Sequence, residues 1–172
     1  MGTGVGGGIV IEKQILTGLN CIGGEWGHNP LPWVTETERP GYRCYCGKHG
    51  CIETFLSGAG LAREYFSLSQ KESPAEQIAA AEEAGEPYAV RTLAMYKHRL
   101  ARSLAALVNI LDPDVIVLGG GISNINTVYD ELPELIGRHA FSDEIRTRVV
   151  RAAHGDSSGV RGAAWLWPIE KT

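Results

Sequence analysis

Three of the four cysteines fall within eight residues, in the pattern Cys44-x-Cys46-x4-Cys51. They belong to residues 19–53, a stretch rich in Gly, Pro and Trp without helical or strand periodicity. So long a loop in a compact domain needs a cross-link or a functional reason to stay ordered. His28 lies sixteen positions before Cys44, and three thiolates with one imidazole form the ligand set of a closed tetrahedral zinc site. The spacing therefore predicts a structural zinc ion in this loop.

Alternatives to this zinc site remain open. The thiols could be reduced cysteines without a metal, because the commoner zinc pattern has two residues between cysteines rather than one. Cys21 or His49 could also replace one of the four ligands, although we expect Cys21 to pack as a small apolar residue. Disulfides are not expected, because the chain opens without a basic and then apolar signal segment. This favours a reducing, cytoplasmic compartment.

The composition argues against two classes of partner. The net charge is −4 without a basic block, so nucleic acid is not an expected partner. No apolar run approaches the roughly 20 residues that a membrane helix needs, so membrane insertion is not expected either. With 172 residues, 44% of them hydrophobic, the chain is long enough for one domain or one large lobe with a sizeable core.

Strands and helices alternate along the chain, which predicts an α/β architecture. The longest helix should run from about Tyr88 to Leu111, where apolar residues recur at three- and four-residue steps, and should stop at Asp112-Pro113. Four side chains of this helix are expected to face solvent: Lys97, His98, Arg99 and Arg102. The other expected elements are a hairpin in residues 8–18, a helix from Ser57 to Phe66, a helix capped by Ser73 and closed by Gly85, a buried strand over Val115–Leu118, a helix over 126–138, a strand over 146–153 and a closing helix from Ser157 or Ser158.

Two glycine-rich segments are candidate ligand loops. GTGVGG, at residues 2–7, matches G-x-G-x-x-G, but a hairpin follows it where a dinucleotide site needs a helix. Its backbone N–H groups and the Thr3 hydroxyl could approach phosphates, or the segment could be a hinge. LGGGIS, at residues 118–123, follows a buried strand, where ligands sit in open α/β sheets, although a tight turn explains it equally well.

Two glutamates flank the expected metal site. Glu25 and His28 are three residues apart in GEWGH, and Glu53 follows the last clustered cysteine by two positions. A metal that holds His28 and Cys51 would bring both glutamates to the same loop. Two acceptors and an imidazole suit a polyhydroxylated ligand. Without that context, two solvated surface glutamates are the simpler interpretation.

Four segments in this order, GTGVGGG, GEWGH, CYCGKHGCIE and DPDVIVLGGG, resemble the carboxyl-terminal lobe of ROK proteins, a family of bacterial sugar kinases and related repressors. The resemblance covers essentially all 172 residues. GEWGHNPLPW and HGDSSGVRGAAWLW are most similar to the fructokinase, or manno(fructo)kinase-type, branch. The resemblance implies the actin-like (ribonuclease H-like) α/β ATPase fold of sugar kinases. Residues 1–172 would form its large carboxyl-terminal lobe, with residues 19–53 as a zinc- and sugar-binding loop.

The resemblance also implies a reaction and residue roles. The expected reaction is phosphorylation of a hexose, fructose above all, by ATP with Mg²⁺, in a cytoplasmic homo-oligomer, expected to be a dimer. The implied roles are zinc binding by His28, Cys44, Cys46 and Cys51, sugar binding by Glu25, His28 and Glu53, contact with the ATP phosphates by Thr3 and Gly4, and contact with adenosine by Gly119, Gly120 and Gly121.

The sequence departs from the family pattern in two motifs. It has no Asp-x-Gly-x-Thr phosphate loop and no Asn-Asp segment, whose aspartate is the general base of the family. We expect both upstream of Met1, and we expect this chain alone to be inactive. The last helix would then expose an apolar patch at Trp165, Leu166 and Trp167. Three alternatives remain: a sugar-responsive ROK repressor, an N-acetylglucosamine kinase or glucokinase, and a zinc-stapled dimerisation module.

Overall fold

The computed structural model describes residues 1–155 and residue 159. The expected closing helix and the patch at Trp165–Trp167 lie outside the described residues. Short 3-10 helices occur at Trp26–His28, Glu36–Glu38, Gly121–Asn124 and Asn126–Tyr129. The longer elements, in chain order, are β1 (Val10–Ile11), β2 (Gln14–Ile15), α1 (Ile52–Leu56), α2 (Gly58–Ser69), α3 (Ala75–Glu83), α4 (Pro87–Leu111), β3 (Val115–Leu118), α5 (Leu132–Gly137) and β4 (Arg148–Arg151).

Helix α4 is the element around which the core is built. Pro87 occupies its first turn, and the Glu86 side chain accepts a hydrogen bond from the Ala89 N–H, which satisfies one free donor of the helix start. Leu100 and Leu104 are fully buried, and α1, α2, α3 and α5 pack against the helix. It ends at Leu111, directly before the Asp112-Pro113 pair that predicts the stop, and Asp112 follows with a left-handed backbone. In the described part of the chain, no helix has the length and apolarity to cross a membrane.

Two small sheets flank this helical core. Strands β1 and β2 form an antiparallel hairpin in which Val10 pairs with Ile15. Strands β3 and β4 are parallel, with Val115 opposite Arg148, and α5 lies in the connection between them. The hairpin, strand β3 and strand β4 confirm the predicted order of elements, although β4 is shorter than residues 146–153. The prediction that β3 is buried is wrong: Val115 and Val117 are exposed and, of its four residues, Leu118 alone is buried, because the β3–β4 pair leaves one face of the strand uncovered in the described part of the chain.

Several predicted helix boundaries are wrong for local reasons. Helix α3 has Pro74 rather than Ser73 at its N-cap. The helix expected over 126–138 splits in two, because Glu131 adopts a left-handed backbone (φ 58°) just before α5. A separate short helix, α1, follows directly from Cys51, whose extended backbone serves as its N-cap. The predicted helix from Ser57 is confirmed, with the Ser57 hydroxyl accepting from the Gly60 N–H, but it continues to Ser69.

Arg99 and Arg102 do not face solvent, and this prediction is wrong. Both are buried and bind the carboxylate of Glu38, which belongs to the irregular segment before the cysteines. Arg99 Nε donates to Glu38 Oε1 at 2.9 Å, and Arg102 Nη2 donates to the same oxygen at 2.7 Å. Arg99 Nη1 also donates to Glu64 of α2 at 2.7 Å. Lys97 is largely buried near Glu131, whereas His98 is exposed as expected.

Glu38 therefore anchors the irregular segment to α4. Burial alone would raise the pKa of the Glu38 carboxyl, but hydrogen bonds from Arg102, Arg99 and the Thr35 N–H outweigh it and lower the pKa to about 2, from a usual 4.5. The carboxylate is therefore ionised at neutral pH and balances two buried guanidinium groups. Removing one member of such a group is costly, because the remaining charges stay buried without compensation.

Cys21 is also placed differently from the prediction. It is exposed, and its backbone is left-handed with φ 54°. It lies in the turn after the β1–β2 hairpin, close to Leu19 and Ile22, which are exposed as well. This part of the chain contributes little to the core, so a small apolar residue finds no packing partners there.

We predict that Glu38→Gln lowers the free energy of unfolding by about 3 kcal/mol at neutral pH, because Arg99 and Arg102 lose their counter-charge. Glu36→Gln is the matched control, because its side chain lies on the same short helix and is 92% exposed. Urea unfolding of both variants measures the effect. The low pKa of Glu38 stabilises the fold above pH 4.5, so the difference from the parent should shrink as the pH falls towards 2. Equal stability of both variants at neutral pH would contradict the anchoring role.

Candidate functional site: a cysteine–histidine cluster beside two glycine loops

The four predicted metal ligands converge. The ligand atoms of His28, Cys44, Cys46 and Cys51 all lie within 4.8 Å of one another. Cys46 Sγ and Cys51 Sγ are 3.6 Å apart, and His28 Nδ1 is 3.6 Å from Cys44 Sγ. Zinc–sulfur bonds of about 2.3 Å in tetrahedral geometry separate the sulfurs by about 3.8 Å. Two separations in the cluster are close to this value, and its donor atoms are those of a tetrahedral zinc site.

Backbone pairing of the loop brings the four ligands together. An isolated bridge between Arg43 and His49 folds the chain so that Cys44 and Cys46 lie at a tight turn, which Gly47 completes with φ 89°. A second bridge, Pro30 to Cys51, brings the end of the cluster next to His28. The two alternative ligands of the sequence analysis, Cys21 and His49, are exposed and outside the cluster.

The thiols differ in their readiness to ionise. A backbone hydrogen bond from Lys48 is the main cause that lowers the pKa of Cys46 to about 7. Burial is the main cause that raises the pKa of Cys51 to about 12, and the neighbouring thiols add to it. A buried thiol with a raised pKa, such as that of Cys51, forms a thiolate at neutral pH only when a cation stabilises the negative charge.

The first glycine loop runs along the edge of this cluster. The Val5 N–H donates to Glu53 Oε2 at 2.9 Å, and the Gly7 N–H donates to the Gly24 carbonyl at 2.9 Å. The glycine loop and the segment around Gly27 approach so closely that a Cβ atom on Gly27 would lie 1.9 Å from the Val5 carbonyl oxygen. Glycine at position 27 is therefore required for this contact. The loop thus lies directly beside Glu53.

Both predicted sugar-binding glutamates face the same glycine loop. A Cβ atom on Gly4 would lie 2.6 Å from Glu53 Oε2, and one on Gly6 would lie 4.0 Å from Glu25 Oε2. Glu53 is half-buried, whereas Glu25 is exposed. The structure thus brings both carboxylates to one loop, as the sequence predicts.

The two glycine segments are neighbours in space. The Ile122 N–H donates to the Met1 carbonyl at 3.2 Å, and a Cβ atom on Gly2 would lie 3.9 Å from the Gly121 nitrogen. Thr3 is exposed in the first segment. In the second, Gly120 has φ 83°, a conformation that disfavours any side chain. Thr3 and Gly4 therefore lie near Gly119–Gly121, so one elongated ligand could contact both segments.

Tyr45 is a residue of the site that the sequence analysis missed. Its hydroxyl lies 2.8 Å from His28 Nε2, and its ring meets the imidazole edge to face with centroids 5.0 Å apart. Partial desolvation is the main cause that raises the pKa of Tyr45, followed by the charge of Glu53, with a further contribution from Glu25. The one signal in the sequence is its position between two clustered cysteines.

Comparison with known proteins assigns this chain to a family. The ROK family profile matches residues 1–170, and the chain belongs to the ROK family. It is 41% identical over 175 residues to the N-acetyl-D-glucosamine kinase of Yersinia pseudotuberculosis serotype O:1b, an alignment that covers 99% of this chain. The chain spans 58% of the length of that kinase.

Solved structures of the family share the fold. A ROK family glucokinase from Streptomyces griseus, in complex with glucose and AMPPNP, superposes with a TM-score of 0.82 at 28% identity, covering 96% of this chain and 58% of that one. A ROK family transcriptional regulator, a homologue of the E. coli MLC protein, superposes with a TM-score of 0.72 at 26% identity, covering 88% of this chain and 40% of that one. These matches confirm the actin-like fold class predicted from the sequence.

We predict that Gly4→Ala displaces the Glu53 carboxylate and breaks its hydrogen bond with the Val5 N–H, because the new methyl group would lie 2.6 Å from Oε2. Val5 is buried, so its N–H would lose its partner at a cost of about 1–2 kcal/mol in the free energy of unfolding. Gly8→Ala is the matched control, because a Cβ atom there meets nothing within 4 Å. Denaturant unfolding of the pair tests the contact. Indistinguishable stabilities would show that Glu53 is not held by this loop.

Proposed function

We propose that this chain is the sugar-binding and part of the nucleotide-binding portion of an ATP-dependent hexose kinase. The observation that carries the proposal is the convergence of Glu25, His28 and Glu53 beside a glycine loop that itself adjoins a second glycine segment. Such a site offers carboxylate acceptors for sugar hydroxyls next to backbone N–H groups suited to phosphates. Sequence similarity to an N-acetyl-D-glucosamine kinase supports the proposal, as does structural similarity to a glucokinase in complex with glucose and AMPPNP.

In this proposal the residues divide the work between two ligands. Glu25 and Glu53 accept hydrogen bonds from sugar hydroxyls, and His28 contacts the sugar beside them. The segment with Thr3 and Gly4 faces the phosphates of Mg-ATP, and Gly119, Gly120 and Gly121 face the adenosine. Because Glu53 also binds the Val5 N–H, sugar and phosphates are held by parts of the chain in direct contact. Phosphoryl transfer depends on such relative positioning.

We further propose that the cluster of His28, Cys44, Cys46 and Cys51 holds a structural zinc ion. Four protein ligands would leave no open position for water, so the ion would hold the shape of the loop rather than take part in the reaction. The convergence of the ligand atoms within 4.8 Å supports this assignment. His28 would bind through Nδ1, the ring nitrogen that faces Cys44.

For the hexose, we propose N-acetylglucosamine or glucose in place of fructose. The sequence resemblance favours fructose, but the two kinases described above are an N-acetyl-D-glucosamine kinase and a glucokinase. These two kinases support an N-acetylglucosamine kinase or a glucokinase better than the fructokinase expected from the sequence. Cytoplasmic location and a homodimer stay predictions.

The general base is assigned to none of the residues of this chain. The sugar hydroxyl attacks the γ-phosphorus of ATP, its proton passes to the base, and the bond from the γ-phosphorus to the bridging oxygen breaks to release ADP. An aspartate in an Asn-Asp segment would be that base in the family pattern, and this sequence contains neither that segment nor the Asp-x-Gly-x-Thr loop. We therefore propose that the 172 residues alone do not turn over.

A coupled ADP-release assay with Mg-ATP tests the kinase proposal on the complete protein that carries this chain. Substrates are N-acetylglucosamine, glucose, mannose and fructose, and the 172-residue chain alone serves as comparator. We expect phosphorylation of N-acetylglucosamine or glucose, and a loss of at least about tenfold in kcat/KM for Glu53→Gln relative to the exposed control Glu72→Gln. No turnover of any hexose would overturn the kinase proposal, and a clear preference for fructose would restore the first expectation.

The second candidate function is sugar sensing, with the chain as the sugar-binding lobe of a transcriptional repressor. The similarity to a ROK transcriptional regulator supports it, because that protein shares the fold at 26% identity. A repressor would bind a hexose without phosphorylating it. Sugar binding by calorimetry together with no ADP release in the assay above would favour this candidate over the kinase.

A further inference from the structure

A cleft of about 400 Å³ lies between the irregular segment and two helices of the core. Residues 37–42 form one wall, Glu64 and Leu68 of α2 form a second, and Arg91, Met95 and Arg99 of α4 form a third. None of the residues assigned above to sugar, nucleotide or metal, all of which the structure describes, lines this cleft. Its volume is in the range of pockets that bind small molecules, so the cleft has room for a ligand of its own.

Helix α4 presents its three side chains to the cleft in a row. Arg91, Met95 and Arg99 are spaced by four residues, which places them along one face of the helix. A rise of about 1.5 Å per residue separates the two arginines by about 12 Å along the helix axis, a gap that their long side chains can narrow. Arg91 is exposed, whereas Arg99 is only 5% exposed. The cleft therefore has an open end at Arg91 and a closed end at Arg99.

The closed end, formed by Arg99 and Glu64, has unused hydrogen-bonding capacity. Arg99 donates through Nε to Glu38 and through Nη1 to Glu64 Oε2, but its Nη2 group has no hydrogen bond to any described residue. Glu64 Oε1 has no donor among the described residues either. Both atoms keep some accessible surface, and both residues line the cleft. A hydroxyl group fits this end, because it accepts from Nη2 and donates to Oε1.

The open end, formed by Arg91 and Arg39, carries surplus positive charge. The two carboxylates of the cleft are already balanced by the two buried arginines that bind them. Arg91 has no ion-pair or hydrogen-bond partner among the described residues. Arg39 reaches only Glu36, at 3.8 Å, and because both side chains are largely exposed this pair contributes little. An anionic group of a ligand would therefore bind at this end.

We propose that this cleft binds a small hydroxylated organic acid, with its carboxylate at the open end, its hydroxyl at the closed end and an apolar body between them. Phe55, Leu68 and Met95 supply apolar surface for that body, and the thioether of Met95 adapts to its shape. A guanidinium group binds a carboxylate through two parallel N–H groups, which favours this anion. A dianion such as a phosphate ester fits less well, because two carboxylates belong to the same walls. The site goes beyond the proposed hexose and nucleotide sites and does not depend on them.

Calorimetric titration of the complete protein that carries this chain tests the proposal. The probe is 4-hydroxyphenylacetate, which has a hydroxyl and a carboxylate at opposite ends of one ring. Phenylacetate lacks the hydroxyl, and 4-hydroxyphenethylamine replaces the carboxylate by a cation. We expect a Kd of about 1 mM or tighter for 4-hydroxyphenylacetate, about fivefold weaker binding of phenylacetate and no detectable binding of the amine.

Two variants and one resonance locate the bound acid. Arg91→Gln removes charge from the open end and should weaken binding of 4-hydroxyphenylacetate at least about tenfold. Because Arg91 is exposed, this variant should keep the parent's stability in urea. Arg146→Gln is the matched control, since Arg146 is an exposed arginine outside the cleft, and should leave binding unchanged. The methyl resonance of Met95, assigned by its loss in Met95→Leu, should shift when the parent is titrated with the acid.

Four results would count against the site. Binding that Arg91→Gln does not weaken, or that leaves the Met95 methyl resonance in place, would overturn the proposal, because the acid would then lie elsewhere. No binding of either acid up to about 10 mM would overturn it too, as would equal binding of the amine. Equal affinity for the two acids would refute the hydroxyl contact at the closed end.

Discussion

One buried carboxylate, that of Glu38, connects the longest irregular segment of the chain to its longest helix. It accepts hydrogen bonds from Arg99 and Arg102, both buried, and Arg99 continues to Glu64 of α2. The same segment carries the four proposed metal ligands and Glu25, so its position on α4 determines where the whole site can form. An irregular backbone has no ladder of hydrogen bonds to hold it, and charged contacts to a rigid helix replace that ladder here.

The site depends on a second connection, between the cysteine cluster and the glycine loop. Cys51 caps α1, and Glu53 in the first turn of that helix binds the Val5 N–H. Any shift of the cysteine cluster therefore moves Glu53, and through it the loop that is proposed to face phosphates. A metal ion at the cluster would hold this chain of contacts at its start. Such an ion would influence the proposed sugar and nucleotide sites without touching either reacting group.

Regularly spaced apolar residues, and residues that end helices, made much of the fold predictable from the sequence. The apolar steps before Asp112 placed α4 within one residue of its observed start, and the β-branched run located β3. The spacing of Cys44, Cys46 and Cys51 identified the cluster, because metal ligands in a loop need few long-range contacts to converge. The residues alone proposed His28 but left His49 open, the family resemblance favoured His28, and the structure places His28 in the cluster.

The buried ion cluster and the contact of Tyr45 were not predictable in the same way. Glu38 is 61 residues from Arg99 and 64 from Arg102, so no local pattern relates them, and an arginine outside an apolar stripe is normally solvated. The contact of Tyr45 with His28 depends on how two turns fold back on each other. Composition and spacing carry no information on either pairing, which only the packed structure reveals.

Hydrogen exchange of the backbone amides, measured before and after removal of zinc by a chelator, tests the central claim most directly. We predict stoichiometric zinc in the purified protein and slow exchange over residues 42–53. After chelation, exchange there should accelerate by at least about tenfold, while the amides of Leu100 and Leu104 in α4 keep their protection. A protein that contains no zinc and still protects residues 42–53 would contradict the account.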